Sequence, residues 1–187
     1  MTKKVDSLDL KIIKSLTEDC RKSTTQIAKE VGTTRPTAIA RINRLIQEQI
    51  IDCAAKIKPS SLGLKLASVH LMAQKDQTSE QIVATLKKCP RVVQLIQLTG
   101  QPNYTAIVLV EDAETLLSSL ECMSTILKLK VVSYQRILPL IGDSFSFRVS
   151  SEKQDLTPCG KDCSLCLCYQ QGECVGCPSS KQYKGPL

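Results

Sequence analysis

The chain lacks any long apolar run. Nothing in it approaches the roughly 20 consecutive apolar residues that a membrane helix needs, and the N-terminal MTKKVDSLDLK has no signal-peptide apolar core. Both absences argue against a membrane partner and predict a soluble, cytoplasmic protein. Histidine is nearly absent as well: His70, between Val69 and Leu71, is the only one, and a lone histidine in a strand reads as structural. Without an export signal, the ten cysteines are poor material for a disulfide framework. What is present is 187 residues, 42% of them hydrophobic, enough for one or two ordinary cores. The net charge of +7 is unevenly spread. Residues 1–60 hold 12 Lys and Arg against 7 Asp and Glu, residues 61–150 hold 9 against 7, and the remainder 4 against 4. Basic excess of this kind neutralises phosphates without reading sequence.

Thr24 to Ile50 reads as two short helices joined by a tight turn. Ile27, Ala28 and Val31 form one narrow apolar face, and Gly32 supplies the backbone freedom a turn needs. Thr34 is a natural N-cap for the next helix, with Pro36 in its first turn, where a missing N–H costs little. Ala38, Ile42 and Leu45 are predicted to face the core, whereas Thr34, Thr37, Arg41 and Arg44 share another side. That side, with Arg35, is expected to enter a major groove of double-stranded DNA. Any amphipathic helix can carry a solvated basic face, but the context favours DNA. Leu8, Ile12, Ile13 and Leu16 mark a supporting helix, and Ile50 to Lys58 reads as a strand or small wing whose Lys56 would touch the backbone.

The ordered run LDLKIIKSLTEDCRKSTTQIAKEVGTT, RINRL, II and SLGLKLA resembles the Lrp/AsnC family of feast/famine transcriptional regulators over roughly residues 7–148. Gln49 stands where that family usually has glycine between the recognition helix and the wing. After Ser61 the chain reads β-α-β-β-α-β, with strands at Lys65 to Ala73, Val92 to Thr99, Tyr104 to Val110 and Val131 to Leu140. Helices are predicted over Ser79 to Lys88, capped by Thr78 or Ser79, and along Leu116, Leu117, Leu120, Met123 and Leu127. This order suggests a ferredoxin-like α+β sandwich, the module the resemblance calls RAM, which dimerises through its sheet and in many members senses amino acids. The expected assembly is a homodimer or a higher even oligomer.

In the family, the turn between the middle strands borders the effector site. Here it reads Gly100-Gln101-Pro102-Asn103-Tyr104, so Gly100, Asn103 and Tyr104 are the candidate contacts for an amino acid or other small effector. Gly, Pro and Asn also make an ordinary turn, and the acid that would hold an ammonium is missing. Some proteins of this architecture are siroheme decarboxylases that rely on histidines. A single histidine makes that enzymatic alternative poor, and the intact face of Arg35, Arg41 and Arg44 sets DNA-binding regulation ahead of both it and a ligand sensor without DNA contact.

Residues 149–158 read as a linker. Beyond it Cys159, Cys163, Cys166, Cys168, Cys174 and Cys177 fall within 19 residues, whereas Cys20, Cys53, Cys89 and Cys122 are scattered and read as small hydrophobes. A CxxC knuckle turns two sulfurs toward one ion, and four thiolates complete a tetrahedral Zn²⁺ site that can fold a tail too small for its own core. An iron–sulfur cluster is the rival. The tail also resembles small Cys-rich modules patterned CGxDC, CxxY and CxGC, in which Cys168 has no counterpart. The expectation is thus a winged helix-turn-helix domain over 1–60, a RAM domain over 61–150 and a metal-binding module over 151–187. The function expected of it is DNA-binding regulation, without catalysis, tuned by effector, metal or redox state.

Overall fold

In a computed structural model describing residues 5–74, 77–126, 128–138, 145–147, 149 and 152–187, the chain divides into two compact units between Ala55 and Lys56. The first holds three helices, α1 (Ser7–Glu18), α2 (Thr24–Val31) and α3 (Arg35–Gln47). Each starts on a side-chain cap. Asp6 and Asp9 form a reciprocal capping box on α1, Ser23 and Gln26 do so on α2, and the Thr34 hydroxyl accepts from the Thr37 N–H. Gly32 ends α2 in the left-handed region at φ 74°. Ile12, Ile27, Val31 and Leu45 meet in one core, and Ile42, Ile50 and Ile51 pack against it.

Gln49 has φ 56°, the left-handed conformation that glycine adopts without penalty. Its N–H donates to the Ile46 carbonyl and the Ile50 N–H to the Leu45 carbonyl, both at 2.9 Å. This is a Schellman closure of α3 built on glutamine. Past it, no strand forms over residues 51–58, contrary to the expected wing; Ile57 instead makes an isolated antiparallel bridge with Phe145 within the second unit.

The second unit is a four-stranded antiparallel sheet in the order β2-β3-β1-β4, from β1 (Lys65–Met72), β2 (Val92–Gln97), β3 (Tyr104–Val110) and β4 (Lys130–Ile137). Crossovers α4 (Ser79–Leu86) and α5 (Ala113–Thr125), capped by Thr78 and Asp112, cover one face. This is the expected α+β sandwich. Alternation along the strands sends Ala67, Val69 and Leu71, together with Ala106 and Val108, toward Ile82, Leu86, Leu116 and Leu120. Leu127 lies outside the described residues, and α5 ends at Thr125. The opposite face gathers Leu66 and Leu109 with Ile107, Ile137, Phe145, Phe147 and the terminal Leu187.

The tail is not a separate body. It carries the short helix α6 (Leu167–Gln170) and docks on the sheet unit through polar contacts. The buried Arg91 donates to the Gly176 carbonyl at 2.6 Å, to Glu111 at 2.7 Å and to the Leu109 carbonyl at 3.2 Å, while the Tyr183 hydroxyl donates to the other Glu111 oxygen at 2.5 Å.

Candidate nucleic-acid interface and cysteine cavity

The side of α3 expected to read DNA is partly occupied. Arg41 donates to Asp6 at 2.5 Å and to Asp9 at 3.2 Å, and Arg44 donates to the second Asp9 oxygen. Asp9 is fully buried. Burial pushes its carboxyl upward, yet the Arg44 guanidinium, the Asp6 backbone N–H and Arg41 outweigh this and hold it at about 2. These arginines therefore clamp α3 to the start of α1. Thr34 and Thr37 are likewise engaged with each other, their hydroxyls 2.8 Å apart.

The face of α3 that is open lies half a turn round from Ala38 and Leu45. Pro36, Ala40, Asn43 and Gln47 follow one another at i, i+4, i+7 and i+11, all exposed, with exposed Arg35 beside them. Small Ala40 at its centre allows close backbone approach. Carboxamides at Asn43 and Gln47 can pair with the N6 and N7 edge of adenine, and Arg35 can reach phosphate or guanine. Lys56, though exposed, falls in the second unit and not in a wing of the first.

In the turn between β2 and β3, Gly100 is exposed, but Asn103 and Tyr104 are structural. The Asn103 Oδ1 accepts from the Ala73 N–H at 3.0 Å, and buried Tyr104 donates to the Ser79 hydroxyl at 2.8 Å. His70 Nδ1 sits 3.0 Å from the Thr105 hydroxyl on the neighbouring strand, as a structural histidine would.

Five of the six tail cysteines, Cys159, Cys163, Cys166, Cys174 and Cys177, line one cavity of about 80 Å³. Cys168 does not line it; its thiol points to Glu121, 3.4 Å away. Two cysteines from the sheet unit join the cavity: Cys89, just beyond α4, and Cys122 in the last turn of α5. Lys161 donates to the Cys122 sulfur at 3.1 Å. Burial drives the Cys177 thiol up to about 12, with Cys89 and Cys163 adding to the effect. Burial also acts on Cys166, but the Tyr169 backbone N–H and Lys161 prevail and lower it. Among the described residues, no group of three or more Cys, His, Asp or Glu side chains is already arranged to hold an ion, so gripping one requires thiols to rotate inward.

Residues 5–46 match the AsnC-type helix-turn-helix domain. The HTH-type transcriptional regulator Ptr1 of Methanocaldococcus jannaschii is 32% identical over 113 residues, spanning 60% of this chain and 76% of that protein. The chain belongs to the Lrp/AsnC family of transcriptional regulators. The proline dehydrogenase transcriptional activator of Rhizobium radiobacter is 30% identical over 115 residues, covering 59% of this chain and 74% of its own. The leucine response regulatory protein LrpA of Mycobacterium tuberculosis shares the fold, with a TM-score of 0.69 at 21% identity over 74% of this chain and 97% of that one.

Four residues outside the sequence-predicted set stand beside these candidates: Asn43 and Gln47 on the exposed face of α3, and Cys89 and Cys122 lining the tail's cavity. The first pair is marked in the sequence by its spacing alone, half a turn round from Ala38 and Leu45. For the second pair no local pattern existed, because a cysteine among apolar neighbours looks the same whether it packs or faces a cavity.

Proposed function

We propose that this Lrp/AsnC regulator reads double-stranded DNA as a homodimer through the open face of α3, with Asn43 and Gln47 contacting base edges and Arg35 the backbone or a guanine. The observation that carries the reading is that exposed stripe on the second helix of an α2–Gly32–α3 unit. Arg41 and Arg44 position the helix through Asp6 and Asp9 and do not read bases directly. Dimerisation through the sheet unit would present two α3 helices to half-sites about one helical turn apart, or a multiple of it. The reading assigns no catalysis. The tail holds a thiophilic metal, Zn²⁺ or the iron of an iron–sulfur cluster, that adjusts regulation. An amino-acid effector at the 100–104 turn loses support, since Asn103 and Tyr104 already have intramolecular partners.

In vitro selection from a random duplex pool tests this directly. The full-length protein should enrich a two-fold symmetric site. Absence of any enriched sequence, with the protein folded, contradicts sequence-specific reading.

A further inference from the structure

Cys89 and Cys122 share the tail's cavity although they are 37 and more residues away from it in sequence. At about 80 Å³ the cavity is far below the several hundred Å³ of organic-ligand pockets, but it has room for an ion or a small inorganic cluster. Its chemistry is soft: seven cysteines line it. Two cations stand beside those thiols. Lys161 lies on Cys122, and buried Arg91 holds the carbonyl of Gly176 inside the Cys174–Cys177 knuckle. Gly176 has φ 87°, and a side chain there would meet the Gln182 carbonyl at 3.1 Å, so the backbone itself is shaped to turn this knuckle toward Arg91. A divalent ion held by four thiolates carries a net charge of −2, which neighbouring cations offset. Apolar packing would have no use for an ammonium 3.1 Å from a sulfur.

We propose that Cys89 and Cys122 are ligands of the metal centre, which makes it a clamp between the tail and helices α4 and α5 and not a site internal to the tail. This rests on the reading above that the tail binds metal. The ligand class is a thiophilic metal, either Zn²⁺ or an iron–sulfur cluster. Loading then changes the sheet unit itself, at the ends of both helices that cover it, and gives metal level a route into the regulator's body.

The test uses full-length protein purified anaerobically. Metal content and a visible spectrum separate zinc from iron–sulfur. Co²⁺ loading then reports thiolate ligation through its charge-transfer absorption, and metal release to a chelator is timed. The C89A/C122A double variant should release metal at least about tenfold faster and show weaker charge-transfer absorption per bound cobalt, whereas C20A/C53A should match wild type. Should the double variant fail to fold, wild-type alkylation decides: metal loading should slow labelling of Cys89 and Cys122 at least about tenfold. Metal bound with unchanged release and absorption in a folded double variant, or unchanged labelling in wild type, overturns this proposal while leaving a tail-only site standing. Wild-type protein that takes up neither zinc, cobalt nor iron under these conditions removes the metal reading altogether.

Discussion

Gln49 holds a left-handed backbone at φ 56°, where a side chain costs roughly 1–2 kcal/mol that glycine does not incur. Glycine gives part of this back by making the unfolded chain more flexible. Gln49→Gly should therefore raise the stability of the helical unit by about 0.5–1 kcal/mol, read as a higher denaturant midpoint with an unchanged slope. A fall in the midpoint would show that glutamine makes a compensating contact. Asp9 is the second residue-scale feature. Its folded value of about 2 lies below the ordinary 3.8, so ionising it favours the folded state. That contribution is fully present above about pH 4 and is lost as the pH falls from there toward 2. Asp9→Asn should flatten this part of the acid-unfolding profile and lower stability at neutral pH, where Arg41 and Arg44 would lose their shared carboxylate. An unchanged acid limb would exclude Asp9 from that role.

At the scale of elements, α2 and α3 were legible because apolar spacing, Thr34 as cap and Gly32 as stop all agree with one another. The succession of strands and helices was legible too, since apolar β-prone runs such as Tyr104–Val110 are set apart by turn residues and by capped helical patterns. Which way α3 presents its polar side was not, because the reading depended on the partners of Arg41 and Arg44. Those partners, Asp6 and Asp9, lie more than 30 residues earlier and show no pairing signal in the chain. The tail posed the same difficulty. Its zero net charge and scarce apolar groups suggested a self-contained module, whereas the contact that docks it, Arg91 with Glu111 and Gly176, comes from two loops of the sheet unit. Arg91 and Glu111 are nearly inaccessible, so removing one leaves the other charged and buried. Arg91→Ala should cost about 3–5 kcal/mol and open residues 152–187 to limited proteolysis. Protection equal to wild type would mean that the pair does not dock the tail.

At the scale of the whole molecule, a net charge of +7, concentrated in the first 60 residues, makes affinity for any duplex strongly salt-dependent. If the bound protein covers 6–10 phosphates, binding should weaken by about 10³- to 10⁵-fold between 50 and 200 mM salt. A shallow dependence would mean that few phosphates are met. Since the chain divides between Ala55 and Lys56, the piece from Lys56 onward should fold alone and sediment as a dimer. A stable monomer would remove the two-headed arrangement. In the proposed mode of binding, the open stripe of α3, and not its arginine side, reads the bases. Fluorescence anisotropy of Asn43→Ala and Gln47→Ala on the selected duplex and on a scrambled one tests it most directly. Each substitution should lose about 1–3 kcal/mol on the selected duplex and almost nothing on the scrambled one. Equal losses on both duplexes, or no loss on either while the protein stays folded and dimeric, would contradict it.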